Sequence, residues 1–167
     1  MSEPRLLRCY QYINRPYEEV RDVLRSRPLE ILQRATTSAA ARGTSLISHL
    51  SVNIGKVEVG VDVRTYLHGI REDEAAAGLT PVTRVDIGWE AIGAPTLFPV
   101  MRAQLSVWPL TSTETQLELE GAYTPPLGRA GKVFDAAIGH RVAEASVHRF
   151  LDDTIEQLRR ELPGATP

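Results

Sequence analysis

His140, Glu144 and His148 recur every fourth residue, the spacing that sets side chains along one face of a helix. An imidazole and a carboxylate meeting in that way can hold a polar ligand or pass a proton between them. Ala136, Ala137 and Ala143 around them are small and leave room. Adding His148 suggests a metal, but the segment offers no further carboxylate at the right phase. His49 and His68 fall on outward strand positions, so no metal site is expected. Tyr123 is expected to point inward, where its hydroxyl serves either a ligand or the backbone of the following turn. Cys9 is the single cysteine, which excludes an intrachain disulfide and a cysteine-rich metal centre. No nucleophile elbow, phosphate loop, zinc pattern or dinucleotide fingerprint occurs, and no cofactor is expected.

Those residues need elements to carry them. A first strand is expected over Leu6–Ile13, followed by a helix with Asn14 as cap and Pro16 as its first residue, where a missing N–H costs nothing. Val20, Val23 and Leu24 follow at helical spacing. A second helix begins near Pro28, with Leu29, Leu32, Ala35 and Ala39 on one side, and Gly43 ends it. From Leu46 to Tyr123 the period changes to two. The strands are Leu46–Ile54, Val57–Leu67, Thr83–Ala91, Met101–Val107 and Thr115–Tyr123, the last four with odd positions inward and charged even positions outward. Successive strands on short connections make an antiparallel meander. Over Val133–Leu162 the pattern is that of one long helix, with Val133, Ala137, Val147, Leu151, Ile155, Leu158 and Leu162 on one stripe. His140 and Glu144 lie at the centre of that stripe. The expected fold is α+β, a curved antiparallel sheet wrapped around a long C-terminal helix.

The bulk properties agree with one domain over residues 1–162 and a loose tail over 163–167. At 167 residues the chain can bury a core without disulfides or metals. Its formal net charge of −2 argues against a nucleic-acid surface. No stretch is apolar enough for a secretion signal or a membrane span, so the cytoplasm is expected. Oligomeric state is left open, with a homodimer among the options.

Three segments carry a family resemblance: GAYTPPLGRAGKVFDAAIGHRVAEASVHRFLDD (Gly121–Asp153), FPVMRAQLSVWPL (Phe98–Leu110) and INRPYEEVRDVL (Ile13–Leu24). With the element order they resemble bacterial members of the START-like, or SRPBCC, superfamily, in particular the Gly-x-Tyr strand end and Pro-Pro-x-Gly-x-x-Gly turn before the long helix. The resemblance implies a helix-grip fold with a hydrophobic cavity between sheet and helix. It further implies binding of a hydrophobic small molecule, such as a lipid, quinone or polyketide-like compound.

The expected ligand contacts on the sheet are Val63, Thr83, Trp89, Met101, Leu119 and Tyr123. On the helix they are Ala136, His140, Ala143, Glu144 and Val147. Two alternatives stay open: a cyclase or dehydratase using His140 and Glu144 as an acid/base pair, and a protein-partner module with a vestigial cavity. Inward hydroxyls at Ser48, Thr65, Thr83 and Thr115 are expected to bond mostly to nearby groups.

Overall fold

The computed structural model describes residues 5–37, 62–73, 78–92, 100–124, 136–162 and 164. Side chains are described at all of these except 62, 63, 91, 92, 100, 124 and 136–146. The elements in chain order are β1 (Arg5–Ile13), α1 (Tyr17–Ser26), α2 (28–37), β2 (Asp62–Asp73), β3 (Val82–Ile92), β4 (Val100–Pro109), β5 (Thr115–Thr124) and α3 (Ala136–Glu161). The expected Leu46–Ile54 strand, the Gly43 helix end, Ser48, His49 and the Pro125–Gly131 turn lie outside the described residues.

The five strands form one antiparallel sheet in the order β1-β5-β4-β3-β2. Alternation dictates which face is covered. Val85, Ile87 and Trp89 of β3, Met101, Leu105 and Val107 of β4, and Leu117, Leu119 and Tyr123 of β5 are all buried. Glu120 is exposed and Glu118 half-buried on the opposite face, so the expected register holds. Across the middle of the inner face the register aligns Cys9, Leu119, Leu105, Val85 and Ile70 in one row.

β2 departs from simple parity. Leu67 pairs with Ile87, but Gly69 already pairs with Asp86, so His68 is an extra residue. Such a bulge sets two residues against one and switches the inward parity of the rest of the strand. Inward positions are therefore Thr65 and Leu67 before it and Ile70 and Glu72 after it. The strand also runs on to Asp73, six residues past the expected end.

The helices close the inner face. Val20 and Leu24 of α1 are buried with Tyr17. Pro16, not Asn14, occupies the N-cap position, and no side chain caps the helix. Proline thus stands one place earlier than expected, and Asn14 is exposed. In α2 the buried face is Ile31, Leu32, Ala35 and Thr36, whereas Leu29 is exposed. Leu29 lies about 200° around the helix from Ile31, which puts it on the solvent side. α3 buries Val147, Phe150, Leu151, Ile155 and Leu158, and Leu162 is buried just past its end. Its phase agrees with the expected stripe; Phe150 and the hydroxyl of Thr154, which back-bonds to the Phe150 carbonyl at 2.8 Å, widen it. Gln11 of β1 donates to Asp152 at 2.9 Å and ties α3 to the sheet edge.

At Gly121 the backbones of β4 and β5 come too close for a side chain. The glycine faces Ala103 across β4 and β5, and a Cβ there would stand 2.6 Å from the Ala103 Cβ and 2.7 Å from the Arg102 carbonyl oxygen. Real Cβ atoms do not approach that closely, so only glycine permits the pinch. Gly121→Ala is expected to cost about 1–3 kcal/mol by forced backbone displacement. A Cβ at Gly69 meets nothing within 4 Å, so Gly69→Ala is the control and is expected to be close to neutral. Urea denaturation of both variants measures the difference, and equal midpoints would contradict the pinch.

Candidate functional site

The inner face has two ends. At one, α1 covers Thr83: the Tyr17 and Thr83 hydroxyls are 2.7 Å apart and buried. Thr115 nearby donates to the Arg15 carbonyl at 2.7 Å. Both inward hydroxyls at this end are satisfied within the protein.

At the other end the register aligns Thr65, Trp89, Met101 and Tyr123 in one row across β2, β3, β4 and β5. All four are buried. The Trp89 ring packs on Phe150 of α3, with centroids 5.0 Å apart and planes tilted by 51°. Tilted aromatic pairs of this kind set the positive edge of one ring toward the face of the other. Gln33 of α2 reaches the same corner, its side-chain carbonyl accepting from the Thr65 backbone N–H at 2.8 Å.

Among the described residues, four buried side-chain atoms have no hydrogen-bond partner: Glu19 Oε2, Thr65 Oγ1, Trp89 Nε1 and Asp153 Oδ2. The two carboxylates are compensated by charge. Glu19 Oε2 stands 3.7 Å from the Arg15 guanidinium, and the other oxygen of Asp153 takes Arg149 at 2.9 Å. The neutral pair has no such compensation. Thr65 and Trp89 are directly opposite each other on neighbouring strands, and directly opposite residues share a face. An unpaired buried donor or acceptor costs about 1–3 kcal/mol, so two side by side mark a place where protein atoms do not finish the hydrogen bonding.

The residues expected from the sequence divide accordingly. Trp89, Met101 and Tyr123 come together in the open-bonded row. Thr83 lies six residues from Trp89 along β3, roughly 20 Å at strand rise, under α1. Leu119 sits two rows from Tyr123 and has no exposed surface. Val147 is buried on α3, one helical turn before Leu151. Helix α3 runs through Ala136, His140, Ala143 and Glu144, and β2 through Val63, but the side chains of all five lie outside those described. Thr65, expected to point inward and bond locally, does point inward, but its hydroxyl bonds to no described group. The signal for it in the sequence is an inward hydroxyl in an otherwise Val- and Leu-bearing face.

Among the described residues the chemistry within reach of the row is neutral. Cys9 is buried two rows away, and burial, aided by Asp152 and Glu118, pushes its thiol up to about 11, so it is no nucleophile at neutral pH. No group of three or more His, Cys, Asp or Glu fit to hold a metal occurs among the described residues. The opposite face of the sheet is wet. Arg8 pairs with Glu118, Arg84 with Asp73, and Arg71 with Asp86 at 3.0 Å. A hollow of about 420 Å³ on that face is lined by His68, Asp86, Arg102, Gln104 and Glu120 and lies open to solvent.

No protein-family model matches the chain, and neither does any curated protein sequence. Among solved structures it is similar to the Zhui aromatase/cyclase from Streptomyces sp. R1128, at 16% identity and TM-score 0.47 over 98% of both chains. It is similar also to a conserved protein from Geobacillus kaustophilus, at 12% identity and TM-score 0.49 over 95% of this chain and 97% of that one. A third is the lipid transfer and protein localization domain of human StarD13, at 15% identity and TM-score 0.38 over 90% and 77%. Among the described residues no helix is long and apolar enough to cross a membrane. With strand order β1-β5-β4-β3-β2, two helices after β1 and α3 packed across the inner face, the chain has an α+β helix-grip fold.

Proposed function

We propose that the protein binds a hydrophobic small molecule, such as a lipid, quinone or polyketide-like compound, on the inner face of the sheet at the Thr65–Trp89 end. The observation that carries this reading is the pair of buried, unpartnered neutral atoms, Trp89 Nε1 and Thr65 Oγ1. Small-molecule sites are mostly apolar and hold a few convergent polar groups that fix orientation. Trp89, Phe150 and Met101 supply the apolar part and the two unpartnered atoms the polar part. At Leu105, Leu117 and Leu119 the inner face offers only apolar side chains, whereas the Trp89 end adds the two unpartnered polar atoms, which favours that end for binding. No described contact favours the cyclase or dehydratase reading over binding alone.

The test uses N-phenyl-1-naphthylamine, a neutral apolar fluorophore that accepts energy from tryptophan. The chain has two tryptophans, and Trp108 lies on the wet face, so a Trp108→Phe variant reports Trp89 alone. Saturable 1:1 probe fluorescence with matching loss of Trp89 emission is expected. An unsaturable response, or probe binding that leaves Trp89 emission unchanged, would overturn the proposal. Native mass spectrometry of the purified protein supplies the identity of any molecule carried from the cell.

A further inference from the structure

The two unpartnered atoms also restrict what the ligand offers them. We infer that the bound molecule presents a neutral hydrogen-bond acceptor, a ketone or quinone carbonyl oxygen, to Trp89 Nε1 and Thr65 Oγ1 together. This rests on the binding proposed above and narrows it to a class of ligand.

The indole nitrogen donates and cannot accept, so whatever completes it must accept. Thr65 stands directly opposite Trp89, and its hydroxyl rotates to donate as readily as to accept. A carbonyl oxygen has two lone pairs and takes both donors at once. A ligand hydroxyl or amine would have to place its own hydrogen as well, and no third described polar atom at this pair is short of a partner.

Charge narrows the class again. No Asp, Glu, Lys or His occupies the row of Thr65, Trp89, Met101 and Tyr123, nor the neighbouring row of Leu67, Ile87, Ala103, Gly121 and Leu7. The one cation aligned with them, Arg5, is exposed on β1, three strands or roughly 14 Å from Trp89. A carboxylate or phosphate placed at Trp89 would be buried without a described counter-charge, which is strongly unfavourable. The indole of Trp89, the ring of Phe150 and the flexible Met101 thioether are suited to the flat apolar body of an aromatic ketone.

A matched pair of probes tests the inference: 9-fluorenone, and fluorene, which has the same ring system without the carbonyl. An apolar site lacking donors would hold fluorene at least as tightly, because the ketone loses more hydration on entry. The parent protein is expected to bind fluorenone about tenfold or more tightly than fluorene. Thr65→Val, nearly isosteric, and Trp89→Phe, which keeps a ring against Phe150, should each reduce the ratio of fluorenone to fluorene affinity, whatever either does to apolar binding. The carbonyl stretching band of bound fluorenone should also fall below its position in hexane and move back up in Thr65→Val. If neither probe binds, the binding site itself is wrong and the inference falls with it. If both bind equally, binding stands and the carbonyl contact is refuted. A preference that survives both substitutions places the carbonyl elsewhere and refutes it too. Should Trp89→Phe fail to fold, Thr65→Val and the infrared band still decide.

Discussion

Replacing Phe150 by alanine is expected to destabilise the protein by about 3–5 kcal/mol, the range for losing a whole buried aromatic side chain. Phe150 is fully buried and its ring is the contact between the helix and Trp89, 5.0 Å from centroid to centroid. Two losses add: the transfer of a whole aromatic side chain to the interior, and the cavity left beneath a tryptophan that cannot follow it. Trp89 is held by its strand neighbours Thr65 and Met101, so collapse into the gap is restricted. Denaturation followed by Trp89 emission in a Trp108→Phe background measures both consequences. The midpoint should fall, and native emission should shift as the ring loses its cover. A loss near ~1 kcal/mol with unchanged emission would mean that α3 is not seated on Trp89.

Leu119→Ala is the second large effect, about 3–5 kcal/mol, in the upper part of the range for buried leucines. Leu119 is enclosed by Cys9 of β1 and Leu105 of β4 in its own row, with no exposed surface. Backbone on both flanks is held by sheet hydrogen bonds, so relaxation into the void is limited. If Leu119 instead faced an open ligand cavity, few contacts would disappear and the cost would drop to about 2 kcal/mol or less. Urea denaturation with and without N-phenyl-1-naphthylamine decides between these. A small cost, together with probe affinity altered by the substitution, would move the binding region from the Trp89 end to the sheet centre.

Much of the fold was legible because strands and helices bury one side at fixed periods. Leu117, Leu119, Val85, Leu105 and Met101 are buried at the alternation that the sequence sets out, and Leu151, Ile155, Leu158 and Leu162 at the helical one. The periods miss whatever breaks them. The extra residue at His68 reverses parity in β2, and nothing in the local composition announces it. Leu29 has the hydrophobicity of a core residue but the wrong angle on α2. The residues of the candidate site were legible only in their direction, for a related reason. Trp89, Met101 and Tyr123 are inward by alternation alone, whereas the distinction between Thr65, Thr83 and Thr115 depends on partners remote in sequence. Tyr17 satisfies Thr83 across 66 positions and Arg15 satisfies Thr115 across 100, while no described group arrives for the Thr65 hydroxyl. Identical side chains in identical patterns thus acquire different meanings only when distant segments meet.

The pairing of β1 with β5 has a consequence for how the chain reaches this state. Arg8 and Glu118, joined across that pair, are 110 positions apart. β1 therefore has its described sheet partner only after β5 emerges, which at ribosomal speeds is a delay on the order of 5–20 s. Closing so long a loop costs entropy before any contact repays it, so slow folding dominated by non-local contacts is the rule for such topologies. Through that interval Leu6, Tyr10 and Tyr12 ride on a strand without its described partner, a segment prone to pair with other chains. The sheet order thus ties β1 to the last described strand, and an interruption of synthesis before Thr115 leaves it without its described partner.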